Sequence, residues 1–376
     1  METVNYEVEL RLNGQLIGDV RRLATGLNWT KRRTATGVDS ISFNINDRAF
    51  AKWCEERSTT IAEMLTPYAL DCRIVRNGEP LIGGYLAATP AYAPSSAGAQ
   101  LTLNFDGYLN LLEGVYIRPT PLTTASANNL VAKWINDAET RSANAGKAFG
   151  LYRGRSDSMA TVQRTFDNYK TVKSAICDLC DNVDGAGPFD VVFDPDRRYN
   201  IVKNLGRTIT DWKIHYPAMR NAPSAISISG PEVTGFASKI IALGSGETSS
   251  DPTKSTVVVA EAQNDEAVAK YGYVENLVQY SSISSPTTLS QKAATDLANA
   301  SNPLTQPEVT LLGSQIPPSP TDEHGIWIGD RVEIANSADF IGQTTGWFRI
   351  NELSISVSAA NVETITPTLE RWANAG

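Results

Sequence analysis

The stretch DCRIVRNGEPLIGGYLAA, residues 71–88, contains two apolar runs separated by Asn77-Gly78. Asn-Gly is the dipeptide preferred at two-residue hairpin turns, because both central residues of such turns take positive φ. Apolar runs of this length on either side of the dipeptide indicate strands. The stretch therefore predicts a β-hairpin.

The sequence on both sides of this hairpin is also typical of β structure. YEVELRLNGQLIGDV (6–20) alternates polar and apolar residues around a second Asn-Gly turn, and SISFNIND (40–47) alternates without interruption. AQLTLNFDGYLNLLEG (99–114) closes the region as a strand and a short amphipathic piece, and one short helical stretch lies between the strands. We predict a first tube-like β-barrel module over residues 1–112.

Residues 113–225 have a different pattern. SANNLVAKWINDAETR (126–141) has apolar residues three and four apart, with Ser126 as a helix N-cap. YKTVKSAICDLCDNV (169–183) repeats the helical spacing, and FDVVFDPDRRYNIV (189–202) reads as a hairpin. This region is predicted to be an inserted α+β domain.

The first hairpin has a weak echo near the other end of the chain. Residues 71–109 and 330–372 both contain Asp, an apolar strand, a polar turn, a second strand near an Ile-Gly pair, a Ser-Ala turn and a final alternating strand. Such self-similarity suggests two copies of one β module. The fold class is therefore α+β and predominantly β, with two related tube-type β-barrel modules and two inserted α+β units.

The second module is predicted from residues 226–245 together with 303–376, and 246–302 is predicted to be a small inserted α+β domain. Within the module, IWIGDRVEI (326–334) reads as two strands joined by a Gly-Asp turn. Residues 226–245 are expected to pair with IWIGDRVEI or with GWFRINELSISVS (346–358). In the insertion, SPTTLSQKAATDLANA predicts a helix with Thr288 and Gln291 as a capping box.

Composition excludes several classes of protein. The 376 residues carry a net charge of -8, which argues against sequence-specific binding to nucleic acid. Four cysteines are too few for a disulfide scaffold. The amino terminus METVNYEVEL has no signal-peptide pattern, and no apolar run approaches the ~20 residues of a membrane-spanning helix. We expect a chain made in the cytoplasm that stays soluble.

The spacing of the residues gives little support to two candidate chemical sites. Asp322, Glu323 and His324 could form an acid/base cluster or part of a metal site, but the chain has only two histidines and neither has metal-ligand spacing. A solvated loop is the preferred interpretation. Cys177 and Cys180 have CxxC spacing but lie inside a helical pattern, so they are interpreted as small helix residues and not as a redox or zinc motif.

The remaining candidates also fail. Asp190, Asp194 and Asp196 lack the glycine and glutamate of a calcium loop and suit a hairpin turn. Gly244-Ser245-Gly246 is neither a nucleophile elbow nor a phosphate loop. The basic run 31–33 is interpreted as a solvated turn. We therefore predict no catalytic residue, no metal site and no cofactor.

The order of these features resembles the tail hub, or baseplate hub, proteins of tailed bacteriophages and related injection machines, including the hub part of tail-associated lysins. The R-N-G-x-x-x-x-G hairpin and the G-D-x-V strand are similar to the two barrel modules of those proteins. The segments that carry the resemblance follow one another along nearly the whole chain: 40–50, 71–86, 171–202, 238–246, 265–283, 290–300 and 326–334.

The resemblance implies a non-enzymatic virion protein made in the bacterial host. It implies a homotrimeric ring that presents six barrels to a six-fold tail tube or distal tail protein, and three-fold symmetry to a tip, fibre or spike protein. It also implies transient, non-specific passage of DNA through the ring. From the net charge of -8 we predict that the lumen is acidic or neutral.

Two other functions are kept open. A cell-wall hydrolase of the glycosidase type would need two carboxylates in one cleft. A carbohydrate-binding tail protein would need several of the seven tryptophans in one exposed groove. Four of these tryptophans lie within apolar patterns, which favours a core or interface: Trp29, Trp134, Trp327 and Trp347.

Overall fold

The structure is a computed structural model. It describes residues 4–34, 37–91, 98–166, 168–180, 189–220, 222–230, 236–246, 256–280, 283, 285–301, 307–339 and 344–372.

The first part of the chain forms strands as expected. The strands are β1 Tyr6–Leu12, β2 Gln15–Asp19, β3 Thr25–Arg32, β4 Ser40–Asn46, β5 Leu70–Arg76, β6 Glu79–Leu86 and β7 Gln100–Gly107. Two helices and a 3-10 helix complete the region: α1 Asp47–Glu55, α2 Ile61–Met64 and Tyr108–Leu112. The Asn-Gly hairpins β1–β2 and β5–β6 are both confirmed.

The region that follows combines helices with short strands. Its elements are β8 Tyr116–Ile117, β9 Thr120–Ser126, α3 Ala127–Asn144, β10 Tyr152–Ser156, β11 Thr161–Phe166, β12 Lys170–Thr171, α4 Val172–Cys180, β13 Asp190–Phe193 and β14 Arg198–Val202. Ser126 is the N-cap residue of α3 as predicted, although its side chain makes no capping hydrogen bond. The predicted hairpin is β13–β14.

The last part of the chain alternates short strands with two helices. The elements are β15 Ile214–Tyr216, β16 Ala225–Ser229, β17 Lys239–Leu243, β18 Val259–Gln263, α5 Asp265–Tyr271, β19 Glu275–Gln279, α6 Pro286–Ala300, β20 Glu308–Leu312, β21 Arg331–Asn336, β22 Gly346–Val357 and β23 Glu363–Arg371.

One sheet of 13 strands contains both ends of the chain. Its main path runs β16-β20-β23-β22-β3-β4-β7-β6-β5-β1-β2, with β21 and then β15 attached beside β22. The two halves join where β22 pairs antiparallel with β3, so that Ile355 lies opposite Trp29. The predominantly β, α+β fold class is confirmed. The two expected modules are continuous with each other through this junction of β3 and β22.

The apolar faces of both halves contribute to one hydrophobic core. Trp29 and Phe348 are almost fully buried in it, and Phe43 stacks on Phe105 with ring centroids 5.8 Å apart. The alternation in β4 explains this arrangement, because side chains two apart lie on the same face of a strand. Burying this many large side chains is the main favourable contribution to folding.

The chain divides into two compact units. The larger comprises residues 1–182, 186–229 and 306–376, and the smaller comprises 183–185 and 230–305. The smaller unit contains a three-stranded sheet in the order β18-β17-β19, covered by α6. The predicted boundaries 1–112, 113–225, 226–245 plus 303–376, and 246–302 stay predictions.

The expected pairing of 226–245 with the last strands is wrong. β16 pairs with β20, and β17 pairs with β18 and β19. The reason is packing: Ile240 and Ala242 of β17 are buried together with Leu289 and Ala293 of α6. Short strands of this kind have the same periodicity in either sheet, so the pattern does not select the partner.

Two local predictions are also corrected. Residues 326–328 form no strand before the Gly-Asp pair, because the Asp330 carboxylate accepts hydrogen bonds from the Trp327 and Arg207 backbone N–H groups, both at 2.8 Å, and holds a turn there. The N-cap of α6 is Ser285, followed by Pro286 at the first helical position, and not the Thr288–Gln291 box. Ile341-Gly342, part of the internal echo, lies outside the described residues.

In the described ranges, no helix is both long enough and apolar enough to cross a membrane.

Candidate assembly site

The acidic pair and histidine at 322–324 lie on the surface. The side chains of Glu323 and His324 are 85% and 71% exposed, and His324 Nε2 lies 3.6 Å from Glu323 Oε1. Asp322 Oδ1 accepts a hydrogen bond from the His324 backbone N–H at 2.9 Å. Arg207 Nη2 donates to the Asp322 and Gly325 carbonyl oxygens. These contacts stabilise a surface turn, which confirms the solvated-loop interpretation.

The cysteine pair lies on a helix, as predicted. Cys180 is the last residue of α4 and is buried, whereas Cys177 is half-buried and lies 3.6 Å from the Thr34 carbonyl oxygen through Sγ. A redox CxxC motif starts a helix with its first cysteine. Here the first cysteine is the sixth residue of α4.

The three aspartates of the β13–β14 hairpin have separate cationic or hydroxyl partners. Asp194 pairs with Arg198 at 2.7 Å, and Asp196 accepts a hydrogen bond from the Tyr152 hydroxyl. Asp190 is 1% exposed and pairs with Arg33. Across the described ranges, no group of three or more His, Cys, Asp and Glu side chains is arranged to hold a metal ion.

The basic run 31–33 is not the solvated turn that the sequence predicted. Lys31 and Arg32 end strand β3, and Lys31 and Arg33 are 3% and 8% exposed. Lys31 Nζ donates to Asp39 at 2.6 Å and to the Phe193 carbonyl at 2.9 Å. Arg32 forms a bidentate pair with Glu352 of β22. These three side chains are not solvated, because each charge has a buried or half-buried partner.

Arg33 connects three parts of the larger unit. Its Nε and Nη2 donate to Asp190 Oδ2 of β13 at 3.1 and 3.0 Å, and its Nη1 donates to Asn351 Oδ1 of β22 at 3.0 Å. Arg349 Nη2 lies 3.8 Å from the same Asp190 oxygen. We call Arg33, Asp190, Arg349 and Asn351 the Asp190 junction.

The Asp190 junction has two guanidinium groups beside one carboxylate. Burial lowers the pKa of Arg349, and the positive charge of Arg33 lowers that pKa further. The charged form of Arg349 is therefore disfavoured by its surroundings, whereas the Arg33–Asp190 pair is compensated. Removal of the carboxylate would leave two buried cations without their shared counter-ion.

A second buried ion pair joins the first strands to the last. Arg76 of β5 donates through Nε and Nη2 to the Glu363 carboxylate of β23 at 2.7 and 2.9 Å, and the Tyr6 hydroxyl also donates to Glu363. Burial, with the nearby Glu363 charge, raises the pKa of Tyr6, so the phenol stays protonated. The contact fixes β5 and β23 across the shared core.

The turn of the β13–β14 hairpin is fixed against the sheet. Arg197 forms a bidentate pair with Asp71 of β5, at 2.6 and 3.0 Å. A Cβ added at Gly83 of β6 would lie 2.7 Å from the Pro195 carbonyl oxygen, so only glycine allows this approach. Together with the Asp190 junction, these contacts hold the β13–β14 hairpin against the 13-stranded sheet.

Two edges of the 13-stranded sheet are candidate places where another chain could add a strand. The path of the 13-stranded sheet ends at β2 and at β16, and among the described strands β2 pairs with β1 alone and β16 with β20 alone. Leu16 and Ile226 on these strands are 48% and 52% exposed. The Trp53 indole N–H donates to the Asp19 carbonyl at 3.2 Å, so α1 covers one end of β2. Unpaired edges that carry apolar residues are candidates for strand pairing between subunits.

The tryptophans do not form an exposed row. All seven lie within the described ranges, and each is buried or half-buried: Trp29, Trp53, Trp134, Trp212, Trp327, Trp347 and Trp372. Trp29 and Trp327 contact each other with ring centroids 6.2 Å apart.

The partners of the buried charges were not predicted from the sequence. The structure brings Arg33 of the basic run and Asp190 together across 157 residues of chain. The available signal was the alternation of polar and apolar residues through β3. One face of such a strand is buried, so a basic side chain on that face is buried as well. The 322–324 turn and the cysteine pair were interpreted correctly because their local patterns were sufficient.

The chain matches no protein-family model and no curated protein. Solved structures do match it. The 43 kDa tail protein of prophage MuSo2 from Shewanella oneidensis aligns over 97% of this chain and 98% of its own length, with a TM-score of 0.61 and 12% identity. The tail protein from Neisseria meningitidis MC58 aligns over 97% of both chains, with a TM-score of 0.59 and 12% identity.

A third relative comes from a different host. The prophage tail protein gp18 from Listeria monocytogenes EGD-e aligns over 96% of this chain and 94% of its own, with a TM-score of 0.54 and 10% identity. At these identities the likeness concerns the fold. The expected resemblance is confirmed at that level: the chain has the fold of prophage tail proteins over nearly its whole length.

Proposed function

We propose that the chain is the structural hub of a phage tail, in which three copies form a pseudo-six-fold ring. The observation that carries this proposal is the internal repeat. The meander β5–β6–β7 and the meander β21–β22–β23 are both three-stranded and antiparallel, and both belong to one sheet. A chain with two related modules gives six modules when three copies close a ring.

A ring of three subunits and six modules suits a protein that lies between a six-fold part and a three-fold part of the tail. The six modules would face a six-fold tail tube or distal tail protein, and the three inserted domains would face a three-fold tip, fibre or spike protein. The buried ion pairs support the proposal, because they hold the two meanders and the inserted domain at fixed angles. A ring closes only if each subunit presents its two interfaces at the correct angle.

The free sheet edges supply a plausible mode of contact between subunits. The ring would use β2 and β16 or strands close to them, and closure would protect the edges from uncontrolled pairing. An obligate interface of this kind buries on the order of 2,000 Å² or more.

The charge suits a channel through which DNA passes without binding tightly. The net charge is -8, and each phosphate neutralised by Lys or Arg would add affinity through counter-ion release. We expect a titration of the assembled protein with duplex DNA to show only weak binding even at low salt. Micromolar or tighter binding near physiological salt would contradict this part of the proposal.

The proposal is non-enzymatic, and the protein would belong to the virion after its synthesis in the host. The competing hydrolase needs two carboxylates in a cleft, yet the cleft of about 450 Å³ next to α3 is lined by one carboxylate, Asp137. The competing carbohydrate-binding function needs exposed tryptophans, and all seven are at least half-buried.

Negative-stain electron microscopy of the purified protein tests the proposal. Top views should show a closed ring with three-fold symmetry and six similar lobes around a central channel. Single compact particles without a channel, at micromolar protein concentration, would contradict the ring. A cell-wall digestion assay on the same preparation distinguishes the hydrolase, which would release soluble fragments.

A further inference from the structure

A cleft lies beside helix α3 in the region 113–225. Its volume is about 450 Å³, within the range of ligand-binding pockets in proteins. Helix α3 forms one wall, and the two-stranded ribbon β9–β11 forms the other. All of its lining residues belong to the larger unit.

The floor of the cleft is apolar. Trp134 of α3 and Phe166 of β11 meet edge to face with ring centroids 5.6 Å apart, and Leu130, Ile117 and Val172 complete the floor. Trp134 is 6% exposed, so its ring is held in place by its surroundings. Such a floor suits one aromatic or large aliphatic side chain of a ligand.

The rim of the cleft is cationic in a chain that is acidic overall. Four basic side chains line it, Arg118, Lys133, Arg141 and Arg164, against the single acid Asp137. Within the part of the chain that the structure describes, neither Arg118 nor Lys133 has an acidic partner within ion-pair distance. The local excess of positive charge is therefore available to a ligand.

The cations on α3 are spaced along the wall. Lys133, Asp137 and Arg141 are four residues apart and lie on one face of the helix. Lys133 and Arg141 are thus separated by about 12 Å at 1.5 Å per residue. The guanidinium group of Arg141 is held in place, because it donates hydrogen bonds to the Tyr116 and Asp137 carbonyl oxygens at 2.9 and 3.2 Å.

We propose that this cleft binds an extended, acidic peptide segment of another protein, with the pattern acid–x–aromatic–x–acid. In an extended chain, residues i, i+2 and i+4 lie on one face and span about 13 Å. The two acids would then reach Lys133 and Arg141, and the aromatic residue between them would enter the apolar floor. The aromatic residue would also keep the carboxylates of the peptide away from Asp137, which lies midway between Lys133 and Arg141.

A compact anion fits the cleft less well than a peptide. One phosphate or carboxylate cannot contact two cations about 12 Å apart, and it would leave the apolar floor in water. The peptide satisfies the charges and the floor together. The inference is independent of the ring, because the whole cleft lies within one subunit.

Fluorescence anisotropy with labelled peptides tests the proposal on the full-length protein. The probe is Gly-Asp-Ser-Phe-Ser-Asp-Gly, and the controls replace both Asp by Lys or Phe by Ala. We expect saturable binding of the probe only, weakened by added NaCl. Lys133→Glu and Arg118→Glu should each weaken binding roughly five-fold or more, since each removes an attraction and adds a repulsion. Lys52→Glu, at an exposed lysine of α1, is the matched control and should bind as the unmodified protein does.

Each other outcome overturns the proposal. It fails if the acidic probe does not bind at millimolar concentration, if the Lys or Ala peptide binds equally well, or if Lys52→Glu weakens binding as much as Lys133→Glu. Displacement of the probe by inorganic phosphate alone at equal concentration would assign the cleft to a small anion. A change in the mass of the protein in solution on Lys133→Glu would assign it to a second copy of this chain. Circular dichroism of each variant verifies that the fold is retained.

Discussion

The Asp190 junction and the three-stranded sheet of β17, β18 and β19 are held together by different forces. At the junction, charged side chains that are 10% exposed or less connect β3, β13 and β22 over long sequence separations. In the small sheet, the buried core consists of four alanines with Ile240, Leu289 and Leu297, and the ion pairs from Lys239 reach glutamates that are about half exposed.

The difference shows where the molecule requires a fixed geometry. A buried ion pair adds little stability compared with an apolar contact, but it is costly to misalign. The junction therefore specifies how three elements meet. A small alanine-rich core tolerates rearrangement and gives a low local free energy of opening. We infer that positional accuracy is concentrated in the 13-stranded sheet.

The largest effect should follow from removing the shared carboxylate. Asp190→Ala removes the buried carboxylate that Arg33 and Arg349 share, so the free energy of unfolding should fall by about 3–5 kcal/mol. Urea denaturation measures it. Glu333→Ala is the matched control, because its pair with Lys213 is partly exposed and should contribute about 1 kcal/mol or less. Equal effects of the two variants would remove the distinction between the two regions.

A core truncation in the small sheet should have the next largest effect, and it should stay local. Leu289→Ala removes a fully buried side chain that packs on Ile240, at a cost of about 2–3 kcal/mol, near the low end for such changes because the small neighbours can collapse. Hydrogen exchange should show lost protection in β17 and β18 and unchanged protection in β3 and β22. Loss in all four strands would mean that the two units unfold together.

Replacement of the second cation should be neutral or stabilising. Arg349→Met keeps the length of the side chain and removes the charge that burial and Arg33 disfavour, while Asp190 keeps its pair with Arg33. The free energy of unfolding should stay the same or rise by about 1 kcal/mol. A loss comparable to that of Asp190→Ala would show that both guanidinium groups are required.

The smallest effect concerns a carboxylate at the exposed margin of the inserted domain. Hydrogen bonds from Arg155 and then from the Lys203 N–H lower the pKa of Asp157. A lowered carboxyl pKa gives stability that is present above the unfolded value near 3.9 and is lost as the pH falls through the folded value. Asp157→Asn should therefore cost under about 1 kcal/mol at pH 7, with no difference from the unmodified protein near pH 2. A difference that does not change with pH would refute this assignment.

Local patterns predicted much of the fold. The alternation of β4 and the Asn-Gly turns at 13–14 and 77–78 were sufficient, because hairpins and strand faces depend on neighbouring residues. Strand partners were predicted less well. β17 was assigned to the wrong sheet, since its five residues carry no information about α6, which covers them.

The local part of the candidate site could be predicted, and the long-range part could not. Asp322 to His324 could be interpreted as a surface loop because the chain has only two histidines and neither has metal-ligand spacing. The ion pairs of Arg32 and Arg33 could not be predicted, because their partners Glu352 and Asp190 lie 320 and 157 residues away. The strand expected before the Gly-Asp turn was wrong because a side chain, Asp330, replaces the backbone pairing of a hairpin.

The mass of the purified protein in solution tests the central proposal most directly. Light scattering coupled to size exclusion, over a range of protein concentrations, should give three times the 40.7 kDa of one chain, with a melting temperature that rises with concentration. Ile226→Lys, at the exposed position of β16, should shift the species toward one chain. A mass of 40.7 kDa at every concentration, with a melting temperature independent of concentration, would contradict the ring.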